Sequence, residues 1–297
     1  MTGGIMPVVD ATQAAAIGGY SFSLEDFDYA AIGRAGIATE MLPKVVPSGT
    51  LVGHTPGGLP VYCSLGDNQA SFLGSVPSPE RSVLINIGTG SQLSALLPDG
   101  EYNIEGIETR PFPGGGRLAV GAALSGGKTY ALLEQFYRDV IRCYTGEEPG
   151  EMYSFMERLL HSAEPSVQDL TVSTRFLGTR AQPELRGSIN QISLANFTPA
   201  NLTHGFLQGM VDELYTFYEA LISVTGNPYT FIIGSGNALR LNPVLCDKVG
   251  KAFGLPLAFS LSIEEAAVGA ALNAAAGGGF ITGFREAGQY IGVDQPE

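Results

Sequence analysis

The 297 residues include 44% hydrophobic and only 15% charged side chains, enough to bury a large core, which excludes a stapled mini-protein and a disordered chain. The 29 acidic and 16 basic residues leave a net charge of −13, which repels phosphate backbones and anionic lipid and argues against nucleic-acid or membrane partners. Glycine, at 40 residues, is in excess, so many backbone positions are expected to turn tightly or to approach a ligand closely.

Residues 1–57 read as loop-rich, with one helix expected over Leu24–Gly36 and a turn-prone close at PSGTLVGHTPGG. LPVYCSL (59–65) is a short apolar run with the signature of a strand, and GDNQASFLGSV turns from it directly into a helix. PSPE (77–80) breaks the chain, giving an expected boundary between a unit at 1–78 and one at 79–297. The second unit opens with SVLINIG (82–88) and QLSALL (92–97), two apolar runs joined by a Thr-Gly turn, the pattern of a β-hairpin. RLAVGAAL (117–124) predicts a third strand, and a helix follows from Gly126. Residues 143–199 read as an irregular insertion with a helix near 150–162. Thr198 can cap and Pro199 can start a helix carrying Leu202, Phe206, Met210, Leu214, Phe217 and Leu221 on one stripe, ending at Gly226. A buried strand TFIIG (230–234), a helix from Asn242-Pro243 to Gly254, a strand LPLAFS (255–260) and a helix Glu264–Ala276 complete the order. Strands alternating with helices in this way predict an α/β layered fold with a mixed sheet.

Cys63, Cys143 and Cys246 are an odd, scattered set without a CxxC pair, so neither a disulfide framework nor a zinc knuckle is written here. A reducing, cytoplasmic setting is expected, and MTGGIMPVVDATQ carries no export signal. Ala266–Phe284 is nearly uncharged and about bilayer length, but its Ala and Gly content and the polar Asn273 and Thr282 predict a tightly packed helix running into a loop.

Five segments could carry chemistry. Asp67, in Gly66-Asp67-Asn68-Gln69, sits at a strand-to-helix junction, where it can act as a general base or cap the helix. Gly88-Thr89-Gly90-Ser91 can form an anion nest, its hydroxyls adding donors to a phosphate, or an ordinary hairpin turn. Gly126-Gly127-Lys128-Thr129 resembles a Walker A ending, but the leading glycine would have to fall at Ala122, so a P-loop is rejected and a glycine pair at a helix start remains. Gly234-Ser235-Gly236-Asn237-Ala238 through Asn242 leaves room for a flat ring, with Asn237 or Asn242 placed to bond a purine or ribose, or is a strand–helix loop with Asn242 as cap. Glu264 through Ala271, acidic then small-faced, reads mainly as helix packing. His54, His161 and His204 have no ligand spacing, so no metal-binding residue is assigned, and no hydrolase signature is present.

In this order, LGDNQAS, NIGTGS, IIGSGNALRLNPVL and EEAAVGAAL resemble the C-terminal part of the FGGY family of carbohydrate kinases, and LGDNQAS, GTGSQLSAL and GSGNAL are worded most like its sedoheptulose-phosphorylating branch. The resemblance implies a ribonuclease-H-like lobe of the actin and hexokinase type, with the remnant of a second such lobe before it. It implies transfer of the γ-phosphoryl group of ATP, with Mg²⁺, to a sugar hydroxyl; xylulose, ribulose and glycerol are the alternative acceptors, and a catalytically inactive nucleotide- or sugar-binding fragment is the alternative of another class. By likeness, Asp67 takes the hydroxyl proton and Asn68 contacts the sugar. Gly88, Thr89, Gly90 and Ser91 lie against the phosphates, Gly127 lines the nucleotide site, and Gly234, Ser235, Gly236, Asn237 and Asn242 hold the adenosine. The family's first phosphate loop, Asp-x-Gly-Thr-Thr, has no match in 1–57, so a first lobe is expected to be largely missing, leaving a sheet edge open to association with a second copy or another polypeptide.

Overall fold

The computed structural model describes residues 7–162, 170–226 and 229–294. Up to Tyr62 the chain makes only small pieces: β1 (Val8–Val9) pairs in parallel with β4 (Lys44–Val45), β2 (Tyr20–Ser21) pairs with β3 (Asp26–Phe27), and β5 (Leu51–His54) with β6 (Pro60–Tyr62). Helix α1 (Ala11–Ile17) is capped by Asp10, which accepts from the Gln13 N–H at 3.0 Å, a helix the composition of this stretch did not announce. The helix expected over Leu24–Gly36 is shorter, α2 (Tyr29–Arg34), because Asp28 takes the N-cap and residues 26–27 pair as a strand. Among the described residues of this segment, Ala14, Phe27 and Ile32 form an apolar cluster.

Helix α3 (Asp67–Ser75) leads into the main sheet, whose strands are β7 (Ser82–Ile87), β8 (Ser91–Leu96), β9 (Ile107–Phe112), β10 (Gly116–Ala123), β13 (Phe231–Ser235), β14 (Leu257–Ser260) and β15 (Val293–Asp294). Their spatial order is β15-β14-β13-β7-β8-β10-β9. β7, β13 and β14 run parallel, and β8, β10 and β9 follow on the other side of β7, each antiparallel to the strand before it. The mixed sheet expected from the element order is therefore present, with two further strands at its edges. β9 escaped prediction because it carries Pro111 and alternating charges, which only an edge strand tolerates.

Alternate side chains of the strands bury two different cores. Val83, Ile85 and Ile87 face α6 (Pro199–Thr225) and α8 (Pro243–Phe253) together with Met210, Leu214 and Val249. Leu84, Leu118, Val120 and Ile233 face α3 and α9 (Glu265–Gly277) with Phe72, Leu73 and Leu272. Thr198 caps α6, its hydroxyl accepting from the Asn201 N–H at 3.2 Å, and Gly226 ends the helix at φ +76°. The insertion contains α5 (Tyr153–Ser162) and a small hairpin of β11 (Thr171–Ser173) and β12 (Ser188–Asn190).

α3 and α9 cross backbone to backbone. A Cβ on Gly74 would meet the Glu265 carbonyl, and one on Gly269 would come within 2.6 Å of the Ala70 carbonyl carbon. The small-residue run around Gly269 thus serves packing. None of the described helices is long and apolar enough to cross a membrane.

Candidate nucleotide and acceptor site

Three glycine-bearing turns meet where β7 and β13 end. The β7–β8 turn is pinned to the start of α4 (Gly127–Thr145) by backbone bonds: Gly127 N–H donates to the Gly88 carbonyl at 2.8 Å, and Gly126 and Lys128 N–H to that of Thr89 at 3.2 Å each. A Cβ on Gly127 would lie 2.6 Å from the Gly88 oxygen. From the other side Gly236, at φ +86°, rests against β7, where a side chain would meet the Ile87 oxygen at 2.5 Å and Asn86 Oδ1 at 2.7 Å. Thr89 and Gly90 remain exposed at the tip of this cradle. Beneath it the Ser91 and Thr129 hydroxyls are buried without hydrogen-bond partners. Orphaned hydroxyls beside an exposed backbone turn suit an oxyanion ligand.

Next to the cradle is a cavity of about 460 Å³, a size that fits a nucleoside. Gly127 and Tyr130 of α4, Tyr153 of α5, Met210 of α6 and Asn237 and Asn242 are among the residues lining it. The rings of Tyr130 and Tyr153 stack at 6.1 Å, and burial pushes the Tyr130 hydroxyl above the ordinary tyrosine range. A larger cavity of about 680 Å³, on the β9–β10 side near Phe112 and Phe284, is lined by none of the candidate site residues.

Asp67 occupies a second corner. It is exposed at the first position of α3, where Gly66 holds the N-cap without side-chain help, and its Oδ1 accepts the Asn68 N–H at 2.7 Å. The helix-cap alternative therefore falls to Gly66, while the carboxylate still gains from the first-turn dipole. Asn68 Oδ1 is buried and unpartnered. The junction itself is built by residues distant in sequence. Thr12 Oγ1 accepts the Gly66 N–H at 2.8 Å and donates to the fully buried Asp10 at 2.6 Å, and Ser48 donates to the other Asp10 oxygen at 2.7 Å. Gln13 Nε2 donates to the Leu65 carbonyl at 2.8 Å, Gln69 Nε2 to that of Pro111 at 3.1 Å, and Asn273 Nδ2 to that of Cys63 at 2.8 Å.

The structure brings Gly88, Thr89, Gly90, Ser91, Gly127, Gly236, Asn237 and Asn242 to one region. It sets Gly234 and Ser235 behind them: Gly234 packs against Phe259 and Leu239, and the buried Ser235 hydroxyl donates to Glu265 Oε2 at 2.5 Å. Asn242 caps α8, accepting the Leu245 N–H at 3.0 Å, and it also lines the cavity. Among the described residues, neither Asp67 nor Asn68 hydrogen-bonds to the 88–91 turn. Sequence reasoning missed Asp10, Thr12, Gln13 and Asn273, because a hydroxyl or amide that supports a junction 50 or 200 residues away has no local signature; Asp10 before the apolar ATQAAAI was the one readable cap.

A family model for the C-terminal domain of FGGY carbohydrate kinases matches residues 84–277. The chain belongs to the FGGY family. Within it, human sedoheptulokinase is 29% identical over 283 residues, which cover 90% of this chain and 58% of that enzyme. Glycerol kinase of Leptospira biflexa is 27% identical over 68% of this chain and 41% of its own length. The same fold occurs in xylulose kinase from Lactobacillus acidophilus, with a TM-score of 0.85 at 18% identity over 97% of this chain and 59% of that one. It occurs also in Plasmodium falciparum glycerol kinase solved with ADP, at a TM-score of 0.80 and 15% identity. The chain therefore spans just under three fifths of the length of human sedoheptulokinase. The ribonuclease-H-like architecture of these FGGY enzymes is the fold of the β7–β15 sheet. No group of three or more His, Cys, Asp or Glu side chains placed for a metal ion occurs among the described residues.

Proposed function

We propose that this chain carries the nucleotide side of an ATP-dependent carbohydrate kinase, with residues 79–297 as the nucleotide-binding lobe and 1–78 as the end of an acceptor-binding lobe. The observation that carries the reading is the convergence of the 88–91, 126–127 and 236–242 turns beside a nucleoside-sized cavity, with two buried hydroxyls left unpaired. ATP supplies the phosphoryl group, and Mg²⁺ bound with it would shield the phosphate charge.

In this reading the Thr89–Gly90 backbone and the Ser91 and Thr129 hydroxyls hold phosphate oxygens, and the cavity walls fix the base and ribose. Asp67 accepts the proton of the acceptor hydroxyl as its oxygen bonds to the γ-phosphorus and the bond to the β-phosphate oxygen breaks. Sedoheptulose is the proposed acceptor, supported by the match of the human and mouse sedoheptulokinases to 90% of the chain.

Titration calorimetry with ATP, followed by a coupled ADP-release assay on sedoheptulose, xylulose and glycerol, tests the reading. ATP binding with fastest turnover on sedoheptulose is expected. ATP binding without turnover on any acceptor would leave a nucleotide-binding chain and remove the kinase reading, and no ATP binding would remove the whole proposal.

A further inference from the structure

A charged cluster next to Asp67 has no part in the reaction described above. Arg110 lies on the edge strand β9, paired with Leu118, so its side chain shares the sheet face on which α3 packs. The first turn of α3 is tied to the next residue of that strand, through the bond from Gln69 Nε2 to the Pro111 carbonyl at 3.1 Å. Arg110 and Asp67 are thereby neighbours across the junction. Their charges interact: burial lowers the affinity of the Arg110 guanidinium for its proton, and the Asp67 carboxylate opposes that.

The guanidinium is also clamped. Its Nε and Nη2 both donate to Glu108 Oε2, at 3.1 and 2.7 Å. Glu108 is in turn paired through Oε1 with Arg180, from the loop of the insertion. Nη1 has no hydrogen-bond partner among the described residues, so one edge of a partly buried fork is left unpaired. A fork held on one side by a carboxylate loses little freedom when its other side donates to a ligand.

We propose that Arg110, oriented by Glu108 and Arg180, determines acceptor specificity: it donates hydrogen bonds to the hydroxyls of a polyhydroxylated acceptor beyond the one that reacts at Asp67. The inference rests on the acceptor side of the proposed function and adds to it a length requirement. An acceptor must extend further past its reacting carbon than the two carbons of glycerol to reach the guanidinium, so five- and seven-carbon ketoses gain from Arg110 and glycerol does not.

The test is calorimetry on the full chain with ATP, sedoheptulose, xylulose and glycerol, for the wild type, Arg110→Ala, Arg110→Lys and Glu108→Gln. A hydrogen bond from a charged donor predicts a loss of about ten-fold or more in ketose affinity for Arg110→Ala. Glycerol and ATP affinities are expected to stay unchanged. Arg110→Lys, which keeps the charge and loses the fork, should recover only part of the ketose affinity, and Glu108→Gln should fall between the wild type and Arg110→Ala. Unchanged ketose affinity in Arg110→Ala, an equal loss for glycerol, or full recovery by lysine would each overturn the proposal and leave the kinase reading standing. If the wild type binds ATP but no acceptor, the specificity role and the acceptor assignment fall together, while the nucleotide site survives.

Discussion

The nucleotide side and the Asp67 corner are held together by different means. At the nucleotide side, backbone meets backbone: Gly88, Thr89, Gly126 and Gly127 are joined through carbonyls and N–H groups of adjoining strand and helix ends, and Gly236 lies against the Ile87 carbonyl. At the Asp67 corner, side chains do the holding, with Asp10, Thr12, Gln13, Ser48 and Asn273 reaching in from three distant segments. A backbone cradle is rigid and needs only small residues, whereas a side-chain scaffold can be loosened one hydroxyl at a time.

The largest expected effect separates the two outright. Asp67→Ala should lower phosphoryl transfer by about 10²- to 10⁴-fold, the usual range for a removed general base, with ATP affinity unchanged by calorimetry. Near-normal turnover would dismiss Asp67 as the base. Gly236→Ala attacks the other side. Its Cβ has no room against the Ile87 carbonyl, and a φ of +86° adds strain, so a stability loss of about 1–3 kcal/mol and weaker ATP binding are expected. Unaltered melting and ATP affinity would mean that the turns are not a rigid unit.

Thr12→Val probes the scaffold with a smaller change. It leaves the Gly66 N–H without its acceptor and removes one donor from buried Asp10, at a cost of about 1–3 kcal/mol. Turnover should fall while ATP affinity holds; a matching fall in both would show the two regions to be one mechanical unit.

The smallest effect is a labelling order. Cys143 is exposed and should react first with iodoacetamide, while burial pushes the Cys63 thiol, at the Asp67 corner, up to about 11 and raises that of Cys246 on α8 as well. Because the thiolate is the reactive form, labelling of Cys63 should stay slow at neutral pH and accelerate as pH rises toward 11. ATP should protect Cys246 and not Cys63, as read by mass spectrometry of labelled peptides.

Much of the β7–β14 fold was legible because each signal is local. Apolar runs marked β7, β8 and β10, Thr198-Pro199 and Asn242-Pro243 opened α6 and α8, and Gly226 and Gly254 closed them. The edge strands β9 and β15 and the two-residue strands β1 to β4 were not legible, since short, charged or proline-bearing strands acquire their state from a neighbour, whereas β6 and, with looser bounds, α2 were. The same division runs through the site. Glycines that must admit another backbone announce themselves, so the 88–91, 126–127 and 236–242 turns could be chosen from composition and spacing.

By itself the sequence determined the α/β order, the glycine turns and the placing of Asp67 at a strand-to-helix junction, because these follow from side-chain period, backbone freedom and capping among near neighbours. Only the tertiary structure decided that Ser235 turns away to Glu265, that Asp10 and Thr12 hold the junction, and that Arg110 stands beside Asp67. Those are pairings across tens to hundreds of residues, fixed by strand register and helix packing, and no local pattern encodes which distant groups the folded chain brings within hydrogen-bonding reach.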